Sequence, residues 1–211
     1  MNLNIVRGAV VMKRNSATLV VGGPTGVPAL VKDILYQNRD RFRYGVAMSG
    51  NTALTQTLNT FMPPASIFNG FSEPVVQKLM SAPKAGKEMF VVVEPPSVTT
   101  KLTLDLAMNA RHKNLAAMYI VPNTDALPDT YGGQFDFVFI GQGVNIESAW
   151  RSYAVDLELD VFKKVYNMCT DDGGYMMLKK GKETSVHWYT PRVEVPDFSV
   201  GTDPFGLLDI V

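Results

Sequence analysis

Residues 18–35 (TLVVGGPTGVPALVKDIL) pass from a β-branched apolar run through a glycine-rich turn into a helical pattern. Strand, glycine turn and helix in that order have the form of a phosphate-binding unit, because glycines let the backbone approach an anion and the first helical amides point at it, and equally that of a plain tight strand-helix connection. Gly22, Gly23 and Gly26 are the candidate nest. The two positions that would hold a lysine and a magnesium-facing hydroxyl are Val27 and Pro28. Valine donates nothing to phosphate, and proline has neither a hydroxyl nor an amide hydrogen. The motif therefore fixes architecture more firmly than chemistry.

The rest of the chain repeats the alternation. Short apolar runs at 17–22, 44–48, 89–94, 117–121 and 135–140 have the two-sided hydrophobicity of strands inside a covered sheet. Between them, 28–37, 52–59, 73–80 and 99–111 suit helices, with Pro28 tolerated in a first turn and Thr99 and Thr100 as caps. Ile67 and Phe68 form a further edge strand bracketed by Pro and Gly. Residues 146–168 make one or two helices with an aromatic packing face that includes Trp150, Tyr153 and Tyr166. Residues 174–179 and 184–189 read as a hairpin or as two sheet strands. The pattern is α/β, with a mainly parallel central sheet and a C-terminal strand pair. One domain over 1–190 is followed by an extended acidic tail, 191–211, whose spaced apolar residues suit docking on a neighbour.

Twenty basic and twenty acidic residues balance to zero net charge, so no strong field draws the chain to nucleic acid. Lys13, Arg14, Arg39, Arg41 and Arg43 are the residues from which a basic DNA-binding face would have to be built. The single cysteine, Cys169, excludes an internal disulfide framework and a cysteine zinc cluster. No apolar run is long enough for a membrane span. His112 and His187 are the only histidines, which supports neither a histidine metal cluster nor a catalytic triad.

Several ordered motifs give this chain a resemblance to the genome-packaging ATPases of poxviruses and nucleocytoplasmic large DNA viruses, which are FtsK/HerA-like P-loop ATPases. They are the glycine turn with its LVKDIL helix, the segment RYGVAMSG ending at Gly50, and Pro63 to Phe68 followed by Glu73 to Leu79. Met89 to Glu94 stands where that family has its acidic metal-site strand, and Arg111-His112 matches an arginine-histidine pair ending the next helix. The likeness spans roughly residues 17–180. It implies a P-loop NTPase-like three-layer sandwich.

The resemblance also implies roles, each of which competes with a plainer one. Glu94 would be a metal-site or catalytic carboxylate, but the paired acid of the family is here Pro95 and Pro96, and the plain reading is a hydrogen-bonded strand end. Arg111 would reach a neighbour's triphosphate, or simply offset the dipole of its helix. Asn123 would sense a terminal phosphate, or cap an ordinary turn. Lys32 and Asp33 read as a surface or second-layer pair. Asp125 and Asp129 lack calcium-loop spacing.

Taken together, the altered loop and acidic strand lead to the expectation of a catalytically inactive packaging-ATPase-like protein. It would serve as a virion structural or minor capsid component, with no catalytic residue, no metal and no cofactor. Its partners would be viral capsid or packaging proteins, including an active ATPase paralogue, in the virion or at the cytoplasmic assembly site of the host. The alternative is a DNA-packaging ATPase or regulatory subunit with residual binding of ATP and magnesium. A second alternative is a DNA-binding packaging accessory that does not hydrolyse nucleotide.

Overall fold

The computed structural model describes residues 10–13, 15–22, 25–81, 89–96, 101–113, 115–127 and 133–201. Strand β1 (Ala17–Val21) leads through the glycine turn into helix α1 (Val27–Gln37). There follow β2 (Tyr44–Ser49), α2 (Thr52–Leu58), β3 (Ile67–Asn69), α3 (Glu73–Ser81), β4 (Met89–Val93), α4 (Lys101–Asn109), β5 (Ala116–Val121) and β6 (Phe137–Ile140). The C-terminal part adds α5 (Ile146–Tyr153), α6 (Leu159–Thr170), β7 (Tyr175–Lys179) and β8 (Ser185–Tyr189).

Among the described residues these strands form one sheet in the order β3-β2-β4-β5-β1-β6-β7-β8. The first six in that order are mutually parallel, whereas β7 and β8 run antiparallel at the far edge. Burial on both faces explains why the inner strands carry unbroken apolar runs. Leu19 and Val21 of β1 pack with Val91 and Val93 of β4 against α3, α4, α5 and α6. Val20 and Val92, pointing the other way, pack with Leu30, Val31 and Ile34 of α1 and Leu54 and Leu58 of α2. The molecule is thus a three-layer α/β sandwich of the P-loop NTPase-like kind, as the alternation and the resemblance implied.

Where sequence and structure differ, contacts distant in sequence decide. The 146–168 segment is two helices. Ala154 N–H bonds to Trp150 O at 2.9 Å and Trp150 Nε1 donates to Leu157 O at 2.7 Å, which turns the chain between them without Pro or Gly. The tail was expected on a neighbour, yet through Gly201 it lies on its own α1–α2 layer. Phe198 stacks on Phe61 with centroids 4.4 Å apart and meets Tyr36 edge-on at 5.6 Å. Val200 N–H donates to Phe61 O at 2.9 Å and Gly201 N–H to Arg43 O at 2.7 Å. Phe205, Leu207, Leu208, Ile210 and Val211, on which the docking idea also rested, lie outside the described residues. No helix among the described residues is long and apolar enough to cross a membrane.

Candidate functional site

Parallel strands bring their carboxyl ends to one edge of the sheet, and in an open α/β sheet that edge carries the ligand crevice. Gly22, Glu94 and Asn123 leave β1, β4 and β5 at this edge, and β5 lies between the other two strands. Gly26 caps α1 at the same edge. Gly23 lies outside the described residues.

Gly22 has φ +146°, a conformation that disfavours any side chain, and its missing Cβ would stand 3.3 Å from Gly141 Cα. The β1 and β6 exits therefore touch backbone to backbone, an approach reinforced by Gly141 N–H donating to Val21 O at 2.9 Å. Gly26 is the N-cap of α1 and offers no side-chain cap, so the first-turn amides are left for water or a ligand. Pro28 removes one of them, but those of Val27 and Ala29 remain. Val27 itself is 1% exposed and packs in the core between α1 and the sheet, away from any role as a phosphate ligand.

In front of this helix end is a cavity of about 310 Å³ lined by Thr25, Gly26, Gly141, Gln142, Gly173, Gly174 and Tyr175. Helix α6 shapes its wall, because Tyr166 Oη donates to Gly141 O at 2.8 Å and Gln142 Nε2 donates to Thr170 O at 2.7 Å. Tyr175 is 4% exposed, and its ring runs past Gly141 toward Gly26. A Cβ on Gly26 would come within 2.5 Å of Tyr175 Oη, and one on Gly141 within 3.0 Å of its Cε1. Gly26 is thus required by tyrosine packing as well as by approach to an anion. Burial pushes the Tyr175 phenol up to about 12.

Every side chain lining this cavity is uncharged, whereas the groove beside it is lined by Lys32 and Arg192. That groove, about 350 Å³, shares Thr25 with the first and adds Pro28, Ala29, Lys32, Thr57, Thr60, Arg192, Val193 and Val195. Lys32 has no hydrogen bond or ion pair among the described residues. Of the surface and second-layer alternatives for the Lys32-Asp33 pair, its neighbour Asp33 takes the second and is not paired with Lys32. It is 1% exposed, accepts from Tyr189 Oη at 2.7 Å and from Arg192 N–H at 3.2 Å, and faces Arg192 Nε at 3.5 Å. The longer guanidinium contact is an ion pair without a hydrogen bond, and Asp33 Oδ1 has no other partner.

Glu94 Oε2 accepts from Ser49 Oγ at 2.7 Å and from Asn51 N–H at 3.1 Å, tying the end of β4 to the end of β2 and the start of α2. Asn123 Oδ1 accepts from Asp125 N–H at 3.1 Å in the turn after β5. Arg111 falls in the short helical turn Ala110–Lys113, which precedes β5. Its backbone is therefore at the opposite edge of the sheet, about one strand length or roughly 20 Å from the cleft. No cluster of three or more His, Cys, Asp or Glu suited to a metal occurs among the described residues. Of the basic residues named for DNA, Arg39 donates to Tyr36 O and lies over that ring, Arg41 donates to Met12 O, and Arg14 lies outside the described residues.

The structure gathers Gly22, Gly26, Glu94 and Asn123 at the carboxyl edge of the sheet and sets beside them Tyr175, Gly141 and Gln142, which sequence reasoning did not single out. The available signal was glycine at both neighbouring strand ends, Gly141 after β6 and Gly173-Gly174 before β7, where a bare backbone invites close approach.

No protein-family model matches this chain, and no curated protein matches it. Solved structures do. The genome packaging NTPase B204 from Sulfolobus turreted icosahedral virus 2, in complex with AMP, aligns with TM-score 0.62 and 11% identity over 86% of this chain and 100% of that one. Its complex with AMPPCP gives TM-score 0.62 and 11% identity over 85% and 99%. EssC (ATPases 2 and 3) from Geobacillus thermodenitrificans gives TM-score 0.55 and 9% identity over 99% of this chain and 50% of that one. The chain is packaging-ATPase-like in fold. The AMP and AMPPCP complexes, together with an ATP-gammaS complex of the same protein, also correct the expectation that no cofactor belongs here, since they show this fold holding nucleotide.

Proposed function

We propose that this protein is a nucleotide-binding member of a viral genome-packaging apparatus, a motor or regulatory subunit that holds ATP at the amino-terminal end of α1 and turns it over slowly. The observation that carries this reading is the uncapped α1 terminus opening on a glycine-lined cavity at the carboxyl edge of the sheet. The residues present fit the phosphate end of a nucleotide. The backbone amides of Val27 and Ala29 stand in the first turn of a helix with no side-chain cap, and Gly26 and Gly141 leave a cradle that a Cβ would fill. A helix terminus attracts anions without needing a formal charge.

Turnover asks for more than binding, because charge that develops in the transition state needs donors and cations placed to meet it. Val27 is buried in the core, and Glu94 is engaged with Ser49 and Asn51. Both facts support slow hydrolysis. The fold of B204, described as a genome packaging NTPase, supports the packaging context and partners among packaging or capsid proteins in the virion.

The test is equilibrium binding of labelled ATP to the purified full chain, with and without magnesium, with AMPPCP as competitor and phosphate release followed in parallel. Saturable binding in the micromolar to submillimolar range with little phosphate release supports the reading. Absence of binding up to millimolar ATP refutes it.

A further inference from the structure

We infer that Tyr175 is a phosphate-binding residue, its hydroxyl donating to an oxyanion held at the α1 terminus where the lysine of a phosphate loop is missing. This rests on the nucleotide-binding reading above and names the side chain that makes it work. Three independent features converge. First, Tyr175 is 4% exposed and its hydroxyl has no hydrogen-bond partner among the described residues, yet that hydroxyl is not sealed in as Tyr119 Oη is, so it opens on the cavity. A hydroxyl that spends its donor on no protein group and opens on a cavity is free to donate to an acceptor held there.

Second, the hydroxyl is at the right place. It lies against Gly26, the N-cap of the 11-residue helix α1, and Tyr175 lines the cavity into which that terminus opens. An anion accepting from the amides of Val27 and Ala29 would meet Oη from the side of β7. Third, the ring is held there. Gly141 leaves only enough room for it to pass, and Phe139 meets it edge-on with centroids 6.5 Å apart. Like any tyrosine the phenol is protonated across the neutral range, the state in which it donates, and burial raises it further. Thr25 and Gln142 complete a neutral, hydroxyl- and amide-rich lining.

The experiment compares wild type with Tyr175→Phe, which removes the hydroxyl and keeps the ring. Equilibrium binding is measured with inorganic phosphate and with AMPPCP, and thermal unfolding is followed without ligand. The expected result is that Tyr175→Phe binds both probes about 10-fold more weakly, the size of one hydrogen bond to a charged group. Its unfolding midpoint without ligand should not fall, because the hydroxyl has no partner to lose. Equal or tighter binding by the variant overturns the role of Tyr175 and leaves nucleotide binding standing. A lower unfolding midpoint without ligand also overturns it, since the hydroxyl would then have an internal partner. Failure of wild type to bind either probe overturns both readings.

Discussion

The contact between Gly26 and Tyr175 can be tested by stability alone, with no ligand present. Gly26→Ala adds a methyl 2.5 Å from Tyr175 Oη but 3.4 Å from Cζ, so the conflict lies with the hydroxyl and not with the ring. The ring cannot slide away freely, because it already passes within close contact of Gly141. Gly26 has φ −97°, which alanine adopts without strain, so the cost is steric. Overpacking of this kind costs about 1–3 kcal/mol, and alanine is also a poorer N-cap than glycine by up to about 1 kcal/mol.

Tyr175→Phe removes the clashing atom and leaves the 3.4 Å contact, which is ordinary. In that background Gly26→Ala should cost only the capping part. A double-mutant cycle read by urea unfolding, with Trp150 and Trp188 as fluorophores, is expected to give a coupling of about 1–2 kcal/mol in favour of the double variant. At about 2–4 °C per kcal/mol for a chain of this size, the double variant should melt about 2–8 °C above Gly26→Ala. Additivity within about 0.5 kcal/mol would refute the packing argument. The cycle also has a practical consequence: Gly26→Ala by itself is a poor control for nucleotide binding, because it displaces Tyr175 as well as altering the turn.

Asp33→Ala should destabilise by about 2–3 kcal/mol in urea unfolding, since it strips acceptors from Tyr189 Oη and Arg192 N–H and removes the ion pair with Arg192. Stability should fall as pH rises through roughly 9 to 12. Burial raises Cys169 from 9.0 to about 11 and Tyr175 from 10.0 to about 12, and raises Tyr119, Tyr166 and Tyr189 as well. The unfolded chain therefore deprotonates first, and stability that is complete below the unfolded values is lost through that window. Urea midpoints that stay constant from pH 9 to pH 12 would contradict this. Phe198→Ala should cost about 2 kcal/mol by loss of the Phe61 stack and should expose residues after Thr190 to limited proteolysis.

The layers were legible in the sequence because each is a local pattern. Leu19, Val20 and Val21 are apolar in succession, and a strand buried on both faces needs that. Asn51 and Asn145 each cap a helix with a side-chain oxygen accepting from the third residue on, a signal carried within four residues. What could not be read depends on β8 and the tail crossing to α1. Asp33 looks like a solvated helix residue until Tyr189 arrives from 156 positions away. Phe198 looks like an outward anchor until Phe61 and Tyr36 are side by side. Tyr175 read as one apolar residue of a strand, and only the antiparallel run of β7 beside β6 brings it to the helix terminus.

That placement bears on how binding and turnover can separate in one cleft. A lysine in a phosphate loop stabilises both ground state and transition state, so its loss alone does not say which suffers more. Here the neutral donors that remain, the α1 amides and Tyr175 Oη, are fixed by backbone and by packing. Fixed neutral donors hold a phosphate already in place, but they add little against the charge that grows as it is transferred. Lys32 and Arg192 are cations that line the adjoining groove and not the glycine cavity, with Arg192 already set against Asp33. On the proposed reading, then, Lys32→Ala should weaken AMPPCP binding less than Tyr175→Phe does. A Lys32→Ala effect larger than that of Tyr175→Phe would move the proposed phosphate site from the glycine cavity to the cationic groove and remove the reason for proposing slow turnover.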